Sequence, residues 1–145
     1  MGGPSILLAT PHVNAIILWD PSPPKLLKLL SPVCKYNKKL NAFVIDHGVQ
    51  TIMNKQMYNE MKESHKWIDA IKATKIPIKI IGASNNMRVS GCKEYYKNAN
   101  RPKKLVFIKG AGHSFNEELS NNVHGAFVYT EENLFKETLE WINKY

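Results

Sequence analysis

Among the elements that the pattern of apolar and polar positions predicts are three sheet strands and three helices. Three short stretches are nearly all apolar, as is typical of strands covered on both faces: residues 13–19, 76–82 and 105–108. Three longer stretches read as helices: residues 54–72, 91–99 and 131–143. Strands that alternate with helices along a chain predict a parallel, doubly wound α/β sheet.

The last predicted helix has an apolar face and a polar face. Its apolar residues recur at three- and four-residue steps, and Thr130 precedes it as a candidate N-cap. The residues expected in the core are Leu134, Phe135, Leu139, Trp141 and Ile142. The helix is therefore expected to cover one face of the sheet.

Residues 25–74 form a long interval between the first and second predicted strands. Within it, residues 42–52 read as two short strands around the turn Asp46-His47-Gly48, which makes His47 a turn residue. We expect this interval to be an insertion in a single domain that covers residues 1–145.

Composition places the chain among ordinary globular proteins. It has 145 residues, of which 43% are hydrophobic and 22% charged, with a net charge of +8. The basic residues are spread along the chain and are nearly all lysine. Because planar, bidentate recognition of phosphate and guanine favours arginine, a lysine-rich surface is a better interpretation than a nucleic-acid site.

Other function classes find little support in the sequence. No apolar run is long enough to cross a membrane, and residues 1–8 lack the basic leader of a signal peptide. Cys34 and Cys92 are far apart, which fits reduced thiols and a cytoplasmic location. No metal-ligand spacing and no phosphate-binding glycine loop occurs, so no metal or cofactor is expected.

His113 is the first candidate for chemistry. It follows the apolar strand 105–108, and Gly110 and Gly112 allow the backbone before it to turn tightly. Ligand sites of open α/β sheets lie at the carboxyl ends of the strands, where a histidine can act as a general base. Asp20 ends the first predicted strand, so the topology places it at the same edge.

The sequence Gly110-Ala111-Gly112-His113-Ser114-Phe115 resembles the catalytic-histidine turn of the α/β-hydrolase superfamily. The strand 76–82 is similar to the one that precedes the catalytic acid in that family. The resemblance covers nearly the whole chain but only the carboxyl-terminal half of the family fold. It implies a partial α/β-hydrolase fold in which residues 25–74 occupy the place of a cap or lid.

The resemblance also implies roles for single residues. The nucleophilic serine of the family lies on an elbow that often continues Ser-Met-Gly-Gly, and Met1-Gly2-Gly3 fits the residues after such a serine. The backbone N–H of Met1 would then supply half of the oxyanion hole. Asn85 stands where the family has its acid, and Asp20 is an alternative acid, because some lipases of the family carry theirs after the earlier strand.

Two functions follow as hypotheses. The first is a serine hydrolase of carboxylic esters or small acyl compounds, inactive as this isolated chain because the nucleophile elbow would precede Met1. The alternative is a non-catalytic half-fold that binds an apolar ligand or a complementing partner chain. Without a neighbour, strand 13–19 would leave a sheet edge open to self-association.

Overall fold

The computed structural model describes residues 6–9, 12–46, 48, 50–115 and 124–145, with side chains of the last range from Thr130 onward. The chain folds into two compact units. The parallel-sheet unit consists of Met1–Pro23 and Trp67–Tyr145, and the antiparallel-sheet unit of Pro24–Lys66. The elements in chain order are β1 (Ile16–Trp19), α1 (Leu26–Leu30), β2 (Cys34–Asn37), β3 (Ala42–Asp46), β4 (Gln50–Asn54), α2 (Lys55–Lys62), α3 (Lys66–Ala73), β5 (Ile78–Ala83), α4 (Val89–Asn98), β6 (Lys103–Ile108) and α5 (His124–Ile142).

The first unit contains a three-stranded parallel sheet in the order β1-β5-β6. Its strands are in register, with Ile16 beside Ile78 and Ile78 beside Lys103. All three strands therefore end at the same edge of the sheet. The predicted mixed α/β class with a parallel sheet is confirmed.

The central strand β5 is buried along its whole length, as expected for a parallel strand with both faces covered. Ile78 and Ile80 belong to a core cluster that includes Ile71 of α3 and Tyr95 of α4. Ile81 and Ala83 lie in a second cluster, with residues that include Phe115 and Leu134. The alternation of side chains along one strand thus separates the two cores.

The second unit is a three-stranded antiparallel sheet in the order β2-β3-β4. The predicted hairpin of residues 42–52 is present as β3 and β4, although His47 itself lies outside the described residues. Strand β2 was not predicted, because it is short and carries two exposed residues. The core of this unit is formed by Leu26, Ile45, Met53 and Met61.

The prediction of one continuous helix over residues 54–72 is wrong. The segment is interrupted at Glu63–His65 by a single 3-10 turn. There the buried Ser64 hydroxyl donates to the carbonyl oxygen of Pro24 at 2.5 Å. Helical periodicity continues through the interruption, so the apolar pattern did not reveal it.

The expected core face of the last helix is partly wrong. Leu134 and Trp141 are buried as predicted, but Phe135, Leu139 and Ile142 are each more than half exposed. Three strands spaced about 4.8 Å apart form a narrow sheet. Within the described residues, that sheet covers only part of the apolar surface of α5.

Candidate active site

Asp20 follows directly after β1, where its backbone N–H donates to the carbonyl oxygen of Ile81 at 2.7 Å. It is 1% exposed and has a φ of 38°. Non-glycine residues rarely adopt this left-handed conformation, although aspartate and asparagine tolerate it best. Backbone strain of this kind, imposed on a buried carboxylate, is common at functional sites.

Donors from β5 and from the loop that follows it surround the Asp20 carboxylate. The backbone N–H of Ala83 donates to Oδ1 at 3.2 Å, and Nδ2 of Asn86 donates to Oδ2 at 3.0 Å. Nε of Arg88 lies 3.9 Å from Oδ2. These donors supply the carboxylate oxygens with polar partners in a position where water does not reach them.

Glycine at position 91 allows the segment that follows Asp20 to approach α4 closely. A Cβ at Gly91 would lie 2.8 Å from Cα of Pro23, closer than packed atoms can lie. The same approach brings the Tyr95 hydroxyl within 2.9 Å of the carbonyl oxygen of Ser22, to which it donates. Helix α4 thus holds the chain just beyond Asp20.

The turn that carries His113 is tied to the end of β5. Gly110 has a φ of 78°, and its N–H donates to the Ser84 hydroxyl at 2.8 Å. The N–H of Asn85 donates to the carbonyl oxygen of Ala111 at 3.0 Å. Glycine adopts this positive φ without steric cost, which favours the turn at this position.

Phe115 anchors the turn on the other side of His113. It is 4% exposed and has a φ of 59°, and its carbonyl oxygen accepts a hydrogen bond from the Thr130 hydroxyl at 2.6 Å. The histidine therefore projects from a turn that is held before and after it.

Nδ1 of His113 lies 2.7 Å from Oδ2 of Asp20. A carboxylate can only accept, so Nδ1 carries the proton of this hydrogen bond. The Asp20 side chain is fully buried, whereas that of His113 is 49% exposed. Asp20 thus orients the ring and leaves Nε2 as the nitrogen available to an outside group, the arrangement of a histidine general base with its carboxylate.

Asn85 does not hold the histidine. Its side chain is exposed and, within the described residues, forms no hydrogen bond with the His113 ring. The position expected from the family pattern therefore contributes only a backbone bond, and the alternative carboxylate, Asp20, lies beside the ring. Met1, whose N–H was expected in the oxyanion hole, lies outside the described residues.

Three residues around the carboxylate were not predicted: Asn86, Arg88 and Cys92. Asn86 and Arg88 follow the carboxyl end of β5, so the rule that placed Asp20 and His113 at this edge could have included them. No sequence signal identified Cys92, which reaches the site from α4.

Cys92 is a protonated thiol. Its Sγ lies 3.9 Å from Oδ1 of Asp20, and burial together with the Asp20 charge raises its pKa from 9.0 to about 12. A thiol with so high a pKa is a poor nucleophile at neutral pH, because the thiolate is the reactive form. Cys92 therefore acts as a weak donor to the carboxylate.

Two features are absent from the described ranges. Among those residues, no group of three or more histidine, cysteine, aspartate and glutamate side chains is arranged to hold a metal ion. None of the helices there combines the length and apolar character required to span a membrane.

Comparisons with known proteins place the fold. No protein-family model matches the chain. No curated protein matches it either. Among solved structures, the esterase domain of a Rhodothermus marinus protein is similar, with a TM-score of 0.59 and 20% sequence identity. The match covers 92% of this chain and 56% of that one, so the chain spans little more than half the length of this neighbour. At this identity the likeness shows an esterase-like fold.

Proposed function

We propose that this chain carries the histidine and the carboxylate of a serine hydrolase that acts on carboxylic esters or small acyl compounds. The hydrogen bond between Asp20 and His113 is the observation that carries the proposal. It joins a buried carboxylate to a half-exposed imidazole at the carboxyl edge of a parallel sheet. The esterase-like fold supports the same reaction class.

The roles follow from the geometry. Nε2 of His113 accepts the proton of a serine hydroxyl as its oxygen attacks the acyl carbon, and then gives that proton to the leaving alcohol. A water molecule, activated by the same nitrogen, hydrolyses the acyl-enzyme. Asp20 keeps the proton on Nδ1 and stabilises the imidazolium that forms in each step.

The nucleophilic serine of this proposal is not identified among the described residues. Within that part of the chain, the hydrogen bonds of the His113 ring run to Asp20, and no serine hydroxyl bonds to Nε2. Ser5 lies outside the described residues. The proposal therefore assigns the nucleophile to residues outside the described ranges.

The test compares the 145-residue chain with the protein isolated from the cells that produce it. A fluorophosphonate reagent, which labels activated serines, should label the cellular protein, and its reaction with the 145-residue chain tests whether this chain supplies the serine. His113→Ala should abolish that labelling and the turnover of p-nitrophenyl butyrate, whereas His65→Ala, at an exposed histidine of the other unit, should preserve both. Labelling that survives His113→Ala would overturn the assignment, as would turnover by the 145-residue chain that does not depend on His113.

A second candidate function, self-association or pairing with a complementing chain, is favoured by the surface beside β1. Within the described ranges β1 pairs only with β5, so its other edge is open. Phe135, Leu139 and Ile142 lie on α5 at helical spacing and are exposed, and the 45%-exposed ring of Trp19 packs edge-on against Phe135. An open strand edge beside an apolar surface is typical of an interface.

Sedimentation velocity tests this second candidate. Self-association that rises with concentration and weakens in Leu139→Lys would support it. Met87→Lys, at a comparably exposed apolar residue outside α5, is the control and should behave like the wild type. Monomers at every concentration would contradict self-association and leave only a different chain as the partner.

A further inference from the structure

One face of the antiparallel sheet packs on helices of its own unit. The other face carries apolar side chains that the described residues of that unit do not cover. Strand register aligns Lys35 with Val44 and Val44 with Ile52, so these side chains form one row across the three strands. Ile52 is 62% exposed, and Leu40, in the turn between β2 and β3, is 52% exposed. The opposite face packs on the helices of the unit, through pairs such as Phe43 stacked on Tyr58 at 3.6 Å.

This row lies in a depression of about 780 Å³. Such a volume is within the range of small-molecule sites. Lys35, Lys38 and Lys39 belong to its lining, as do Leu40, Val44 and Ile52. The depression therefore combines a basic end with an apolar floor.

The antiparallel-sheet unit carries an excess of positive charge. Residues 24–66 contain eight lysines and three acidic residues, a net charge of +5 out of +8 for the whole chain. Among the described residues, Lys35, Lys38 and Lys39 form no ion pair. The acidic residue that lines the depression, Asp46, instead accepts hydrogen bonds from the N–H of Gly48 at 3.3 Å and from Nε2 of Gln50 at 3.2 Å.

We propose that this depression binds a single-chain anionic amphiphile, a fatty carboxylate. The three lysines attract the carboxylate, since unpaired ammonium groups gain from an anion, and the chain lies along Leu40, Val44 and Ile52, where it removes exposed apolar surface from water. A concave surface fits one such molecule better than a flat membrane. The site does not depend on the proposed reaction at His113.

Isothermal titration with dodecanoate, below the concentration at which it forms micelles, tests the site. The wild type should bind, and the triple variant Lys35→Gln, Lys38→Gln, Lys39→Gln should bind about tenfold more weakly or worse, because the anion loses its counter-charges. Ile52→Thr, which keeps a β-branched residue in the strand, should also weaken binding. The control, Lys72→Gln, Lys75→Gln, Lys93→Gln, removes the same charge from exposed lysines of the other unit and should bind as the wild type does.

Ligand analogues separate the contributions of head and chain. Acetate, which has no chain, and dodecyltrimethylammonium, which has the opposite charge, should not bind measurably. Equal loss of affinity in the two triple variants would overturn the proposal, because binding would then depend only on the net charge of the protein. Binding to phosphatidylglycerol vesicles without binding to free dodecanoate would overturn it in favour of a membrane surface, and the absence of any dodecanoate binding would refute it outright.

Discussion

Oδ2 of Asp20 and Nδ1 of His113 lie 2.7 Å apart although the two residues are 93 positions apart in the chain. The bond connects the ends of the two outer strands across the central one. Asn86 supplies a second hydrogen bond to the same oxygen, so that the carboxylate is held by the loop after β5 as well. The three strand ends therefore form one hydrogen-bonded network.

Replacing the carboxylate should change the tautomer of His113. Asp20→Asn should fold, because asparagine also tolerates the positive φ at this position. Its amide can donate as well as accept, so the neutral ring should lose its preference for a proton on Nδ1. Nitrogen-15 NMR of the imidazole measures the tautomer directly.

Asn85→Asp is the matched control for that measurement. It adds a carboxylate at the position that the family resemblance favours, but the side chain there is exposed and should leave the tautomer unchanged. A tautomer that responds to Asn85→Asp and not to Asp20→Asn would mean that the wrong carboxylate has been assigned to the ring.

Asn86 should stabilise the fold as well as the site. Asn86→Ala removes the hydrogen bond to Asp20 and the one that Oδ1 accepts from the N–H of Arg88 at 2.6 Å. The buried carboxylate loses a donor, and we expect the free energy of unfolding to fall by about 1–2 kcal/mol. Urea denaturation measures the change. The control, Asn85→Ala, truncates an exposed side chain and should change the free energy of unfolding by less than about 0.5 kcal/mol. Equal effects of the two substitutions would contradict the hydrogen-bonded network.

The two thiols should differ in reactivity. Cys92 is buried with a pKa of about 12, whereas Cys34 is half-buried. A disulfide reagent such as DTNB should therefore modify Cys34 faster in the folded protein and both cysteines after unfolding.

The same raised pKa predicts a loss of stability in alkali. The Cys92 thiol of the unfolded chain ionises near pH 9, whereas that of the folded protein does not until about pH 12. Ionisation then favours the unfolded state, so the free energy of unfolding should decrease as the pH rises above 9. Cys92→Ala should remove this part of the decrease, and an unchanged alkaline slope would contradict the buried thiol.

Lys79 and Glu137 should act as a pair. Lys79 lies in β5 with a fully buried side chain, and its Nζ is 2.6 Å from a carboxylate oxygen of Glu137. Glu137→Gln leaves the buried ammonium group without its counter-charge and should cost about 3 kcal/mol in urea denaturation. Glu140→Gln, at a 47%-exposed residue that pairs with Lys104 at 3.8 Å, should cost less than about 1 kcal/mol.

A third variant separates the charge from the packing of this pair. Lys79→Met replaces the buried charge by an apolar chain of similar length and should be nearly neutral or stabilising. A large loss of stability in Lys79→Met would show that the ion pair itself stabilises the fold.

The pair also predicts a pH dependence in acid. Burial raises the pKa of the Glu137 carboxyl, but hydrogen bonds and charges from Lys79 and Lys104 outweigh burial and leave the pKa below 4.5. A lowered pKa stabilises the folded state above the pKa of the unfolded chain, and this contribution disappears as the pH falls through the folded value. The free energy of unfolding should therefore decrease below about pH 4.5, and Glu137→Gln should flatten that decrease. An unaltered acid slope in this variant would contradict the lowered pKa.

The sequence predicted the parts of the site that depend on strand order. The apolar strands 13–19 and 105–108 indicated parallel strands, and parallel strands must end at one edge, which is why Asp20 and His113 were both expected there. The sequence alone does not distinguish Asp20 from Asn85 as the partner of the histidine. That choice depends on the left-handed backbone at Asp20 and on the donors of Ala83 and Asn86, which meet only in the folded chain.

Hydrophobic periodicity by itself determined the α/β class, the parallel sheet and the hairpin within residues 42–52, because these depend on local spacing. Tertiary structure decided which apolar residues are covered. Phe135 and Leu134 are neighbours in one helix with the same chemistry, yet one is 55% and the other 5% exposed. Adjacent residues point about 100° apart around a helix axis, and the direction of Leu134 faces the second core cluster. How much of the helix is covered beyond it depends on the number of strands beneath, a non-local property that no single stretch of sequence contains.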